Sequence, residues 1–228
     1  MTAAAPRAAV RPGGSRPDGS RQWSRALLGW LEWLAHPVLA GAAFAVLSLG
    51  VVTWLPALAA TAHVLRAWRS EGETRTFTGV FRAFGTYLRP LLPHAVASTA
   101  GLTLLAVDIA FLVGRTGGVA LVLVLLALGL LLVAVPYHVA LAVVAGTHPA
   151  GTPRAWVTEA LWFAFGSVSR GTALLGAVVA TPVFSLVIPA GPLLLSASVP
   201  VLVGLVILDQ TDRTSAPDQT TTDQTEDA

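Results

Sequence analysis

The chain has 228 residues, of which 54% are apolar and only 11% charged, and its mean hydropathy is +0.71. A soluble domain carries about 25% charged residues, so a water-soluble globule of this size is excluded. All 14 basic residues are Arg and there is no Cys, which removes lysine nucleophiles, P-loops, structural disulfides and cysteine metal sites.

Residues 1–22 are rich in Pro, Gly and Ser and carry Arg7, Arg11, Arg16 and Arg21. With so little apolar surface to bury, they are expected to form a disordered basic arm. In residues 23–36, Trp23, Leu27, Trp30 and Leu34 follow helical spacing, with Arg25, Gly29, Glu32 and His36 on another face. This pattern predicts a helix lying at the headgroup boundary. Apolar segments follow at 38–54, 56–68, 91–114, 118–146, 172–188 and 193–208. A crossing needs roughly 17–25 apolar residues, and 56–68 falls short of that. The expected fold is all-α: a polytopic transmembrane bundle of five to six segments in three hairpins. Pro136, Pro182 and Pro200 predict kinks, and Pro189-Ala190-Gly191-Pro192 predicts a turn. The basic leader before the first apolar run is about 37 residues, longer than a 15–30-residue signal peptide, so no cleavage is expected.

Two further stretches read as interfacial helices. Phe77, Val80, Phe81, Phe84 and Leu88 form an aromatic stripe flanked by Arg75, Arg82 and Arg89. Trp156, Leu161, Trp162 and Phe165 form a less regular one. The two share a phrase, Ala83-Phe84-Gly85-Thr86 to Arg89 and Ala164-Phe165-Gly166-Ser167 to Arg170, at an offset of 81. Pro56 and Pro136 lie 80 apart. Together these suggest a parallel repeat of inward span, surface helix and outward span. The last twenty residues, 209–228, hold six acids against Arg213 and repeat Asp-Gln-Thr, and are expected to form a disordered acidic tail.

Charge sets the orientation. If 38–68 is one crossing, the Arg residues divide six against eight. If the chain turns at Thr53-Trp54-Leu55-Pro56, 13 lie on one side and only Arg115 on the other. Enrichment of basic residues in cytoplasmic flanks selects the turn. The expected localisation is a bacterial plasma (inner) membrane, multi-pass, with both termini cytoplasmic. The basic pI, near 9.9, then records membrane orientation and calls for no nucleic-acid partner.

Val51-Val52-Thr53-Trp54-Leu55-Pro56-Ala57, followed by Ala60 and Val64-Leu65-Arg66, resembles the N-terminal signature of YesL-like bacterial membrane proteins. The segment from Phe77 to Arg89 is similar to that family's aromatic-basic block, and Leu104 to Leu112 to its following span. The likeness covers about residues 27–115. Gly50 stands where the family usually has Pro, and Leu55 where it usually has Gly. The family is a domain of unknown function; the resemblance implies association with carbohydrate uptake and a transporter complex as partner.

Asp108 is the sharpest single candidate. A carboxylate within a span costs about 2.5–3.5 kcal/mol on insertion scales, and Arg115, two turns on along the same face, is its expected partner. A structural ion pair accounts for it, and so does a ligand or ion path. His63, His94 and His138 lie in inner halves of spans, where histidine can relay protons; none shows metal-ligand spacing, and no metal or cofactor is expected. Thr53 and Pro56 mark the family-signature turn. No hydrolase, nucleotide or redox motif is present. The expected function is therefore a non-enzymatic accessory or regulatory component associated with carbohydrate uptake. The alternative is a small solute transporter or channel using the repeat and Asp108.

Overall fold

The computed structural model describes residues 19–187 and 190–215. The expected basic arm, up to residue 18, and the acidic tail from residue 216 lie outside the described residues. The described residues fall into two units, 19–34, which is helical, and 35–187 with 190–215, which contains everything below. The stripe expected at Trp23, Leu27 and Trp30 falls on side chains outside the described set. The described chain is helical, with no strand: α1 (Gly19–Ser48), α2 (Trp54–Glu71), α3 (Thr76–Val113), α4 (Gly118–Thr147), α5 (Pro153–Phe165), α6 (Val168–Ser185), α7 (Gly191–Leu195) and α8 (Ser198–Ser215). Among the described residues, four stretches are long and apolar enough to cross a membrane: α3, α4, α6, and α7–α8 together.

Between α1 and α2 the chain turns, and the turn occupies residues 49–53 and not Thr53–Pro56. Val51 takes a left-handed φ of 55° there, and the Thr53 hydroxyl donates to the Leu47 carbonyl, one of the acceptors left open where α1 ends. Pro56 sits in the first turn of α2, where its missing N–H has no intrahelical acceptor to lose. The hairpin is closed at its far end: the His36 ring stacks on Trp68 at 4.9 Å, although the two are 32 residues apart in sequence.

The core is built around α2. Every residue from Leu55 to Ala62 is buried, so its Ala-rich run faces protein on all sides. That explains a helix too weakly apolar to face lipid: it lies inside the bundle. Gly72, at φ 70°, ends it by returning its N–H to the Trp68 carbonyl. The inner half of α4, from His138 to Thr147, is buried with it. Trp54 lies beside His138, and His63 and Arg66 contact Gly146 and Thr147. Position along one helix thus rises with position along the other, and the two run parallel. The partners lie 81 to 84 residues apart, close to the offset of the repeated phrase. Gly146 permits the approach, because a Cβ there would lie 2.8 Å from both the Ala62 Cβ and the His63 nitrogen.

The outer halves of α3 and α4 form a two-helix arm. Leu102, Leu105, Ile109 and Leu112 of α3 and Ala120, Val124 and Leu131 of α4 are half-buried, and Ala127 is buried. The three-and-four spacing is that of an antiparallel coiled-coil seam. Away from the seam, Leu104, Val107, Phe111, Val119 and Leu126 are exposed. Gly117, at φ 130°, turns the chain at the tip.

Several expectations are corrected. The helix at 77–89 is not separate from the crossing at 91–114: α3 is one helix of 38 residues containing Pro90 and Pro93, about 57 Å long. Packing of Tyr87, Leu91 and Ala95 into the core carries it through the two prolines. Its buried stripe is Thr76, Val80, Tyr87, Leu91 and Ala95, whereas Phe77 and Phe81 point outward with rings 5.2 Å apart. Phe84 and Leu88 are half-buried, and Arg82 and Arg89 exposed. In α5 only Trp156 of the expected stripe is buried; Leu161, Trp162 and Phe165 are exposed, and Ala160, Phe163 and Ala164 take the core face. The last span does not kink within a helix but breaks at Ser196–Ala197, so that Pro200 falls in the first turn of α8, where a missing donor is harmless. The acidic tail begins later than residue 209, because α8 continues to Ser215 and Asp209 pairs with Arg69 at 2.9 Å.

Candidate functional site

Where α2 begins, the three helices α2, α3 and α4 bring together a polar cluster inside otherwise apolar packing. Pro136 removes one backbone donor from α4, and the two residues after it, Tyr137 and His138, carry the cluster. The His138 Nδ1 lies 2.7 Å from the Ala134 carbonyl. A carbonyl only accepts, so Nδ1 carries the proton, and in the neutral ring Nε2 accepts. Its partner is the Ser98 hydroxyl at 2.8 Å. One turn earlier on α3, the His94 Nε2 and the Tyr137 hydroxyl are 3.1 Å apart. The Trp54 indole N–H donates to the Thr99 hydroxyl at 2.9 Å, and the Trp54 and His138 rings meet at 5.1 Å. Each of the three helices is thus tied to another by a side-chain hydrogen bond.

Of the residues singled out in the sequence, His94 and His138 are brought together, with ring centroids 6.1 Å apart. His63 is elsewhere, at the end of α4, where its Nδ1 lies 3.2 Å from the Gly146 carbonyl. Arg66 joins it by donating to the Thr147 carbonyl at 2.5 Å, and the Trp156 indole N–H donates to the His148 carbonyl at 2.8 Å. These donors satisfy the open carbonyls of a helix C-terminus, where a cation is also favoured by the dipole. Asp108 and Arg115 form neither part of the cluster nor a pair. Asp108 is exposed on the outer arm, about 15 Å along α3 from Ser98. The Arg115 guanidinium lies over the Phe111 ring at 4.5 Å, a cation–π contact. Two turns of sequence spacing put both on one helix face without fixing which neighbour the longer side chain takes.

Ser98, Thr99, Tyr137 and Trp54 escaped the sequence reading. The available signal was polar Ser98-Thr99 inside an apolar run and Tyr137-His138 directly after a proline. The Ser98–His138 contact has the spacing of a nucleophile and base. However, the amides around Ser98 belong to a continuous helix, where they are committed to the ladder and do not form an oxyanion hole. The Ser98–His138 hydrogen bond joins α3 to α4. Among the described residues, no group of three or more His, Asp or Glu is placed to hold a metal ion.

Interhelical hydrogen bonds in membrane proteins average about 0.6 kcal/mol and reach about 1.7. His138→Phe is therefore expected to lower stability by about 1–2 kcal/mol, and a double-mutant cycle with Ser98→Ala should return a coupling of about 1 kcal/mol. Tryptophan-fluorescence melting in detergent reads both; additive effects would mean the contact is not formed.

No protein-family model, characterised protein or solved structure matches this sequence.

Proposed function

We propose that this chain is a non-enzymatic accessory subunit of a bacterial plasma membrane, which packs against a transport protein through its α3–α4 arm. The observation that carries this reading is the contrast between core and arm. The inner half of the bundle is closely packed around α2, while the arm presents Leu104, Val107, Phe111 and Leu126 outward together with the exposed carboxylate of Asp108. Lipid alone satisfies the apolar side chains. A carboxylate at that level is costly against hydrocarbon and finds relief against a polar group of another membrane protein. The YesL-like resemblance supplies the class of partner, a carbohydrate uptake system.

In the full reading, α1 and α2 form the first of three hairpins, and both termini lie in the cytoplasm. Support comes from the contacts that gather Arg66 and Arg69 with Thr147 and Asp209 at one end, the end enriched in Arg. The second reading, a small transporter, draws on the parallel packing of α2 and α4 and on His94 and His138 at that level.

A photo-crosslinking residue at Val107, beside Asp108, is expected to trap a transporter subunit in the native membrane, whereas one at Gly85 does not. Capture of lipid alone at both positions would refute the accessory role. Solute flux through the lone protein in liposomes would establish the transporter instead.

A further inference from the structure

Where α2 and α8 end, the structure has a polar cleft of about 430 Å³, lined by Arg66, Arg69, Ser70, Asp209, Asp212 and Arg213. Three guanidinium groups against two carboxylates leave the lining at +1. Some of this charge has an evident internal task. Arg66 spends one N–H on the Thr147 carbonyl at 2.5 Å, and Arg69 neutralises Asp209 at 2.9 Å. The Ser70 hydroxyl donates to the Arg66 carbonyl at 2.9 Å. A guanidinium offers five N–H donors, so most of those on Arg66 are left for another acceptor. Arg213 and Asp212 stand exposed on the last turns of α8.

An aromatic side chain lies at the level of the cleft: Trp68, next to Arg69, is half-buried and stacks on His36. Tryptophan favours the headgroup boundary of a bilayer. Directly along α8 from Asp209, Val206 is exposed, a surface for an acyl chain. Phosphate oxygens at this height would face Arg66 and Arg213.

We infer that this cleft binds the phosphodiester headgroup of an anionic glycerophospholipid, with Arg66 and Arg213 on the phosphate, Ser70 beside the polar substituent and Asp212 a like charge at the rim. A ligand of charge −1 balances the lining, which a zwitterionic headgroup does not. Phosphoryl oxyanions in solution share this chemistry; the bilayer is favoured because the cleft opens at headgroup height beside an apolar helix.

Delipidated full-length protein in detergent would be titrated with phosphatidylglycerol, phosphatidylethanolamine and inorganic phosphate, and occupancy read by native mass spectrometry. Phosphatidylglycerol is expected to bind about tenfold more tightly than phosphatidylethanolamine. Surface arginines attract anionic lipid by about 1 kcal/mol each, so Arg66→Gln with Arg213→Gln should weaken binding roughly tenfold or more, with the melting temperature as a folding control. Asp212→Asn, which removes a repelling and unpaired carboxylate, should tighten it several-fold and decides the matter if the double variant does not fold. Unchanged affinity in Asp212→Asn would overturn the assignment, as would unchanged affinity in a folded double variant. Displacement of the lipid by an equal concentration of inorganic phosphate would assign the cleft to a soluble oxyanion instead.

Discussion

Gly146→Leu is expected to abolish stable folding, with a loss of about 3 kcal/mol or more. A Cβ at Gly146 would meet the Ala62 Cβ and the His63 nitrogen at 2.8 Å and the Ala59 carbonyl oxygen at 2.9 Å. Two of these three are main-chain atoms, so no side-chain rotation relieves the overlap. Overpacking a core typically costs about 1–3 kcal/mol, and this site lies at the upper end, because α2 and α4 must move apart as bodies. Their separation also breaks the contacts of His63 with Gly146 and of Arg66 with Thr147. The matched control is Gly129→Leu, on the exposed arm with nothing within 4 Å of the added Cβ. Melting temperature and the monodisperse fraction after detergent extraction should collapse for Gly146→Leu and hold for Gly129→Leu. Equal behaviour of the two variants would show that α2 and α4 are not in contact at this point.

The reversal at the first hairpin was legible because charge, a long-range signal, constrains topology where local hydropathy is ambiguous. The run 56–68 is too short to cross, and the Arg distribution rejects its fusion with 38–54. The His36–Trp68 stack and the chain reversal at residues 49–53 agree with that choice. Hydropathy does not say what covers an apolar surface. The same Leu, Val and Ala composition gives α2, enclosed by protein, and the outer half of α4, with Val119, Leu125 and Leu126 exposed. The aromatic stripes misled for the same reason. Helical spacing located one face of α3 and one of α5, but the faces that pack are the neighbouring ones, which carry Tyr87, Leu91 and Ala95 in α3 and Ala160 and Phe163 in α5.

Among the candidate residues, His94 and His138 were legible one at a time and not as a pair. They lie 44 positions apart on different helices, and only the α3–α4 register brings their rings to 6.1 Å. The Asp108–Arg115 pair was over-read. Spacing along a helix limits which residues share a face, but Arg115 reaches the nearer Phe111 ring, one turn away. Asp108 is therefore left facing outward.

Gly41→Ala should be the second severe lesion, although it adds one methyl group. The added Cβ would overlap the Leu194 carbonyl oxygen and lie 2.6 Å from the carbonyl carbon. At this point α1 rests directly on the main chain of α7, a five-residue helix held by the Leu194 N–H to the Ala190 carbonyl at 3.1 Å and by the Ser198 hydroxyl on the Leu194 carbonyl at 3.2 Å. The carbonyl cannot swing away without breaking the Ser198 bond, so the methyl displaces α7 or α1. Core residues beside this contact, Ala40 and Ala43, are fully buried and would lose packing with it. The expected cost is about 2–4 kcal/mol, above the usual range for an added methylene because the obstacle is backbone. Gly85→Ala is the contrast: it is helical with open space around the new methyl, and relief of glycine's excess chain entropy should leave stability unchanged or raised by about 0.5–1 kcal/mol. Opposite shifts in melting temperature for the same chemical change would establish that α1 seats on α7 through a glycine contact. A neutral Gly41→Ala would remove that contact from the fold.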